Sequence, residues 1–346
     1  MKAQVLHEIG KLVYEDVCTP VPGEDEVLVK IKACGVCGSD IPRIFETGTY
    51  HFPTIPGHEM SGIVEDVGKN LDKSLIGKRA AVFPLIPCRK CECCEAGNYG
   101  QCKNYDYLGS RTNGGFAEYV VVPLWNLCFF NENLTFEEGA MIEPASVAAH
   151  ALRLTGMDLQ DNIVIFGAGP IGLLVAKWAK IYGASKIMLV DIDSRKLEFA
   201  RALGFEHICN PKDIDSVGWI KSETTFGADL IIEGTGAGIA LEQAIESVRD
   251  FGTILLLGNP MGNTTISKNK HSLILRKQLT IKGSWNTYYA KFPKNEWEMS
   301  VHAMESKTLK VADLITHKVN LADLNIALNM ILNKTDFYCK VMVINN

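Results

Sequence analysis

No stretch of this chain stays apolar for the length that a bilayer-spanning helix needs. The opening residues, MKAQVLHEIGKLVYED, lack the basic segment and apolar run of a secretory signal peptide, so a cytoplasmic protein is expected. Positive charge is not in excess either. Thirty-five Lys and Arg stand against 40 Asp and Glu, a net charge of −5. That balance argues against a nucleic-acid or anionic-membrane partner, although a local basic pocket stays possible. Internal repeats and low-complexity segments are missing from the sequence. What is present is the composition of a globular chain, 47% apolar and 22% charged. At 346 residues it exceeds what one core usually serves, so two domains are expected. Cysteine breaks the pattern. There are 11, an odd number, and five crowd into Cys88–Cys102, which suggests metal rather than disulfides.

The stretch Asn162–Asp193 organises the second half of the chain. Ile163–Phe166 reads as a buried parallel strand and runs into Gly167-Ala168-Gly169-Pro170-Ile171-Gly172, which fits G-x-G-x-x-G. A helix to Gly183 and a strand Lys186–Val190 follow, ending on Asp191, nineteen residues after Gly172. Gly167 permits the tight turn, Gly169 lets backbone approach a pyrophosphate, and Gly172 lets helix and strand pack closely. The pyrophosphate is expected on the helix N-terminus and a ribose 2′-hydroxyl on Asp191. An acid there repels a 2′-phosphate, which favours NAD over NADP. Lys196 and Gly258 join this cofactor-binding set. A glycine motif alone often marks only a turn, and another nucleotide, such as a methyl donor, is the alternative reading of the sheet.

Around that unit the chain divides. Before about Thr135 it is short strands and glycine turns, including Glu26–Ala33, Gly62–Val67 and Gly77–Phe83, hence β-rich and partly barrel-like. From Asn162 strands and helices alternate; Lys186–Asp191, His207–Asn210, Asp229–Glu233, Thr253–Gly258 and Leu279–Gly283 complete a doubly wound parallel sheet of the Rossmann type. Helices are expected over Glu137–Leu154, Ile239–Arg249, Asn295–Ser306 and Leu321–Lys334, and a last strand over Lys340–Ile344. The domains are therefore drawn at 1–148, 149–285 and a return of 286–346 to the first.

Cys88, Cys91, Cys94 and Cys102 are spaced C-x2-C-x2-C-x7-C. Four thiolates so spaced can surround one Zn²⁺ tetrahedrally and leave no open position, so the expected ion is structural. Cys93 is spare, since on an extended backbone it points away from Cys94. The lobe at 88–102 holds both charge signs and no basic stripe flanks it, which sets it apart from a nucleic-acid-binding zinc module. Taken singly, Cys37, His58 and Glu143 have bland readings: a small core residue, a turn histidine, and an acid before Pro144 near a helix start.

Together these residues resemble a known family. Cys37-Gly38-Ser39-Asp40, Gly57-His58-Glu59, the four-cysteine lobe, Gly114–Tyr119, Glu143-Pro144 and Gly167–Gly172 are similar to the zinc-dependent medium-chain dehydrogenase/reductase family over nearly the whole chain. Cys37–Phe45, Pro84–Cys91 and Tyr107–Tyr119 are most like its polyol and polyol-phosphate branch. The resemblance implies a GroES-like catalytic domain beside the Rossmann domain, with two zinc ions, one catalytic and one structural. It implies a catalytic zinc held by Cys37, His58 and Glu143, with Glu59 an alternate ligand or a neighbour of the ligands. Ser39 matches the hydroxyl that takes up the alcohol proton, and Asp40 fits a partner orienting His58. Where some members carry a proton-relay histidine this chain has Pro42, so the proton must leave by water or the cofactor ribose. Arg43 stands where relatives can carry a substrate-contacting residue, and an arginine suits a phosphate. Trp285-Asn286 is expected near the nicotinamide, or else as a buried structural tryptophan.

The expected function is NAD-dependent oxidation of a secondary alcohol in a polyol phosphate to the ketose phosphate; a free polyol of the sorbitol or xylitol type is the alternative. A zinc-free reductase would lack Cys37, His58 and the lobe, and a zinc-ribbon binding protein would have no use for Asp191. The implied partners are a small-molecule substrate and copies of the chain itself, as a homodimer or homotetramer pairing near Leu279–Gly283.

Overall fold

The computed structural model describes every residue except 261, 293 and 346. It divides into two compact units, Met1–Pro144 with Tyr288–Asn346, and Ala145–Thr287.

In the second unit six strands, all parallel, are ordered His207–Cys209, Lys186–Val190, Asn162–Phe166, Ala228–Glu233, Val248–Leu256, Thr280–Gly283. Strand order reverses between Asn162–Phe166 and Ala228–Glu233, the place where doubly wound sheets bind ligands at their carboxyl ends. The inner strands are continuous apolar runs because helices cover both faces: Ile163, Val164, Ile165, Ile231 and Ile232 have no measurable exposure. Thr280–Gly283 has one neighbour only and is an edge strand. The helix expected over Ile239–Arg249 is instead Gly238–Ser247, because Val248 already pairs with Ala228.

In the first unit a seven-stranded sheet is built around the long strand Glu26–Gly35. Three antiparallel partners flank it: Glu59–Val67, Tyr119–Pro123 and the C-terminal Lys340–Ile344. Its interior is a single cluster that includes Val27, Val29, Ile31, Val64, Val120 and Val343. Elements that escape the sequence reading include the hairpin Lys2–Glu8 with Lys11–Asp16, the strand Leu127–Phe129, the short pair Leu85–Ile86 with Asp106–Tyr107, and Ile315–Asn320, which pairs parallel to Lys340–Ile344. The expected single helix Glu137–Leu154 is two, Phe136–Ala140 and Ile142–Thr155. The first opens on a capping box, in which Thr135 and Glu138 each satisfy the other's backbone N–H.

Candidate active site

Register assembles the first cluster. Gly35 is opposite Glu59 and Cys34 opposite Met60 in the antiparallel ladder, so Cys37 and His58, just beyond each strand end, become neighbours. Cys37, His58 and Glu59 each offer one ligand atom, all within 4.8 Å of one another. Gly35 is required here, because a Cβ would overlap the Glu59 carboxylate. The strand Lys340–Ile344, with Met342 opposite Gly35, brings in Lys340 from the far end of the chain. Its ammonium donates to both Glu59 oxygens, at 2.6 and 2.8 Å, and to the Val36 carbonyl at 3.1 Å.

Asp40 is fully buried and takes hydrogen bonds from the Cys37 N–H and from Arg43 Nη1, both at 2.9 Å. Its Oδ1 also stands 3.3 Å from His58 Nδ1. With Nδ1 turned to that carboxylate, Nε2 is the ring nitrogen left to serve a ligand role. Burial disfavours the His58 cation, yet the Asp40 carboxylate and the Cys37 sulfur outweigh it and hold the imidazole well above its usual range. The Ser39 hydroxyl donates to Cys37 Sγ at 3.3 Å. Glu143 is buried beside the cluster but outside the 4.8 Å set. Burial first, and then the charge of Glu59, push its carboxyl up to about 7, while His58 and Lys340 pull the other way. Thiol, imidazole and carboxylate are thus gathered in one place, the donor types that bind zinc.

The second cluster is local. Sulfur separations are 4.0 Å for Cys88–Cys94, 3.6 Å for Cys91–Cys94 and 3.9 Å for Cys91–Cys102. A tetrahedron with Zn–S bonds of about 2.3 Å sets S···S near about 3.8 Å. The backbone N–H groups of Lys103 and Cys94 draw the Cys91 thiol down to about 6, which favours the thiolate a metal takes. Cys93 lies outside this set, but not for the expected reason. Residues Glu92–Glu95 form a helical turn, not extended backbone, and that turn directs Cys93 elsewhere.

In the second unit Gly167 has φ +102°, Gly169 has open space where a Cβ would stand, and a Cβ on Gly172 would strike the Gly167 carbonyl. Pro170 opens the helix Pro170–Ile181, where its missing N–H costs nothing. Asp191 is 8% exposed, its Oδ2 accepting from Ala168 N at 2.8 Å and its Oδ1 from Asp193 N at 2.9 Å. Lys196 Nζ lies 3.7 Å from Asp191 Oδ2. Gly258 packs so tightly on Gly236 and Gly234 that no side chain fits. Trp285 is 54% exposed, which removes its reading as a core tryptophan.

Residues 23–131 match the alcohol dehydrogenase GroES-like domain and residues 170–306 the zinc-binding dehydrogenase family. Galactitol 1-phosphate 5-dehydrogenase of Escherichia coli strain K12 is 37% identical over 308 residues, 88% of this chain and 89% of that protein. Sorbitol dehydrogenase of Bacillus subtilis strain 168 is 32% identical over 100% of this chain and 98% of its own. The crystal structure of galactitol-1-phosphate dehydrogenase from Escherichia coli superposes with a TM-score of 0.93 at 34% identity, covering 100% of both chains.

The chain belongs to the zinc-dependent medium-chain dehydrogenase/reductase family. This dehydrogenase is therefore an alcohol or polyol oxidoreductase that uses zinc and a nicotinamide dinucleotide. Sequence reasoning missed Lys340 and Tyr107. The Tyr107 ring centroid is 5.8 Å from that of His58, and burial with the nearby charges of Glu143 and Cys37 raises its hydroxyl well above the usual range. No local signal marks either residue. Only strand register and turn geometry deliver them to the site.

Proposed function

We propose that this dehydrogenase oxidises a secondary alcohol of a polyol phosphate to the ketose phosphate with NAD. The convergence of Cys37, His58 and Glu59, with Glu143 beside them, carries the reading. Cys37, His58 and Glu143 hold a catalytic zinc; Glu59, tied to Lys340, stands ready as the alternate ligand. Cys88, Cys91, Cys94 and Cys102 hold a structural one. Zinc in the first site supplies a Lewis acid that makes an alcohol oxygen easier to deprotonate, and NAD supplies the hydride acceptor.

The chain's own groups do the rest. Asp40 fixes the His58 ring, and Arg43 fixes Asp40 while its other donors remain for substrate. Ser39 receives the alcohol proton and passes its own outward; with proline at position 42, the exit is water or the cofactor ribose. Gly167, Gly169, Pro170, Ile171 and Gly172 cradle the pyrophosphate, and Gly258 lets backbone come close. Asp191, near Lys196, takes the ribose hydroxyl and disfavours NADP. The edge strand Thr280–Gly283 pairs with its copy in a homodimer or homotetramer, and the enzyme works in the cytoplasm.

Resemblance to the galactitol 1-phosphate enzyme supports a phosphorylated substrate, and the sorbitol dehydrogenase match supports a free polyol as the second reading. The test is NAD reduction with galactitol 1-phosphate, galactitol, sorbitol and xylitol. The first should give the highest kcat/KM, and preference for a free polyol would replace the leading reading by the second.

A further inference from the structure

Arg111 sits in a turn whose backbone is fixed. The N–H groups of Ser110, Arg111 and Thr112 all point to the Tyr107 carbonyl, at 3.2, 2.9 and 3.1 Å. The neighbouring segment is pinned to this turn from outside: Tyr50 N donates to the Ser110 carbonyl, and His51 Nε2 lies 2.9 Å from the Arg111 carbonyl. Between these two segments the Arg111 guanidinium is stacked, its Cζ 4.0 Å from the Tyr50 ring centroid and 4.6 Å from that of Tyr105. Held against two rings, the guanidinium keeps its in-plane N–H donors for a partner.

Among the described residues no such partner exists. Arg43, Arg195 and Arg249 each hold an aspartate. Arg111 holds no carboxylate and donates no side-chain hydrogen bond, and its Nε is enclosed and unmet. A positioned guanidinium with an enclosed, unmet donor has the chemistry to take an anionic group such as a phosphoryl. Its turn is also tied to the site. The carbonyl that anchors the turn belongs to Tyr107, whose ring packs against His58.

We propose that Arg111 holds the phosphoryl group of the substrate and sets the preference for a phosphorylated over a free polyol. This rests on the polyol-phosphate reading and assigns its selectivity to Arg111. Arg43 has one donor committed to buried Asp40 and only its others for the substrate.

The test compares wild type with Arg111→Gln and Arg111→Lys as zinc- and NAD-loaded enzymes. Arg111→Gln should raise KM for the phosphorylated polyol about tenfold or more with kcat little changed, and move KM for the free polyol far less. Arg111→Lys, which keeps the charge but not the planar fork, should fall between. Equal changes for both substrates would reduce Arg111 to a clamp between Tyr50 and Tyr105 and overturn the proposal. Calorimetric titration with inorganic phosphate separates the two ideas. Should wild type turn over only free polyols, the polyol-phosphate reading fails. Phosphate binding lost in Arg111→Gln would still place an anion there, and equal binding by both proteins would remove it. If Arg111→Gln does not fold, the same comparisons with Arg111→Lys decide.

Discussion

Lys340 and Glu59 lie 281 residues apart in sequence and form an ion pair in which each side chain is at most 3% exposed. Burial alone would drive the lysine toward its neutral form. The charge of Glu59, with that of Cys37, reverses this and holds the ammonium above its usual range. Removing one partner strands the other. Lys340→Met should therefore cost about 3–5 kcal/mol of stability, read by urea unfolding at neutral pH. Lys340→Arg should cost less, because the charge survives. A loss of under about 1 kcal/mol in Lys340→Met would mean the pair is not enclosed as described.

The four-thiol lobe makes a stoichiometric prediction. Cys94 is buried and in reach of both Cys88 and Cys91, so Cys94→Ser removes a ligand that no neighbour replaces. Metal analysis should fall from two zinc ions per chain to one, with the first cluster still occupied. An unchanged count of two would show that Cys94 is not a ligand of the second ion.

Asp191 makes a prediction about cofactor choice. Asp191→Asn keeps an oxygen for the Ala168 N–H but loses the negative charge, which on the proposed reading repels a 2′-phosphate. The ratio of kcat/KM for NAD to that for NADP should drop by about tenfold or more. A ratio that does not move would place the discrimination elsewhere.

Asp229 contributes to the acid stability of the second unit. Burial works against its charge, but the bond from Arg249 and those from Asn162 N and Nδ2 win, so its pKa is held below 3.8. A carboxyl depressed in the folded state binds fewer protons there than when unfolded. Its contribution is complete above the unfolded pKa of about 3.9 and is lost as pH falls through the folded value. Asp229→Asn should thus be about 1–3 kcal/mol less stable at pH 6, the gap closing below about pH 4. Parallel melting curves across that range would contradict it.

What was legible in the sequence is what a few turns of chain can build. The Gly167–Gly172 turn with Asp191 occupies a single strand–helix–strand unit, and the four lobe cysteines fall within fifteen residues. Local geometry fixes such groups, so their spacing states the chemistry. Even there Cys93 lies outside the set for a reason that spacing does not carry, because a helical turn, not extended backbone, runs through it.

Cys37, His58 and Glu143 taken singly carried no such signal, and only resemblance joined them. The fold brings Cys37 and His58 together by register: the pairing of Gly35 with Glu59 fixes which residues stand side by side beyond the strand ends, and Met342 opposite Gly35 adds Lys340. Spacing along a chain cannot express a pairing made across a sheet. The stack of Tyr50, Arg111 and Tyr105 is likewise the product of two loops meeting, and only the tertiary structure could leave that cation without a counter-charge.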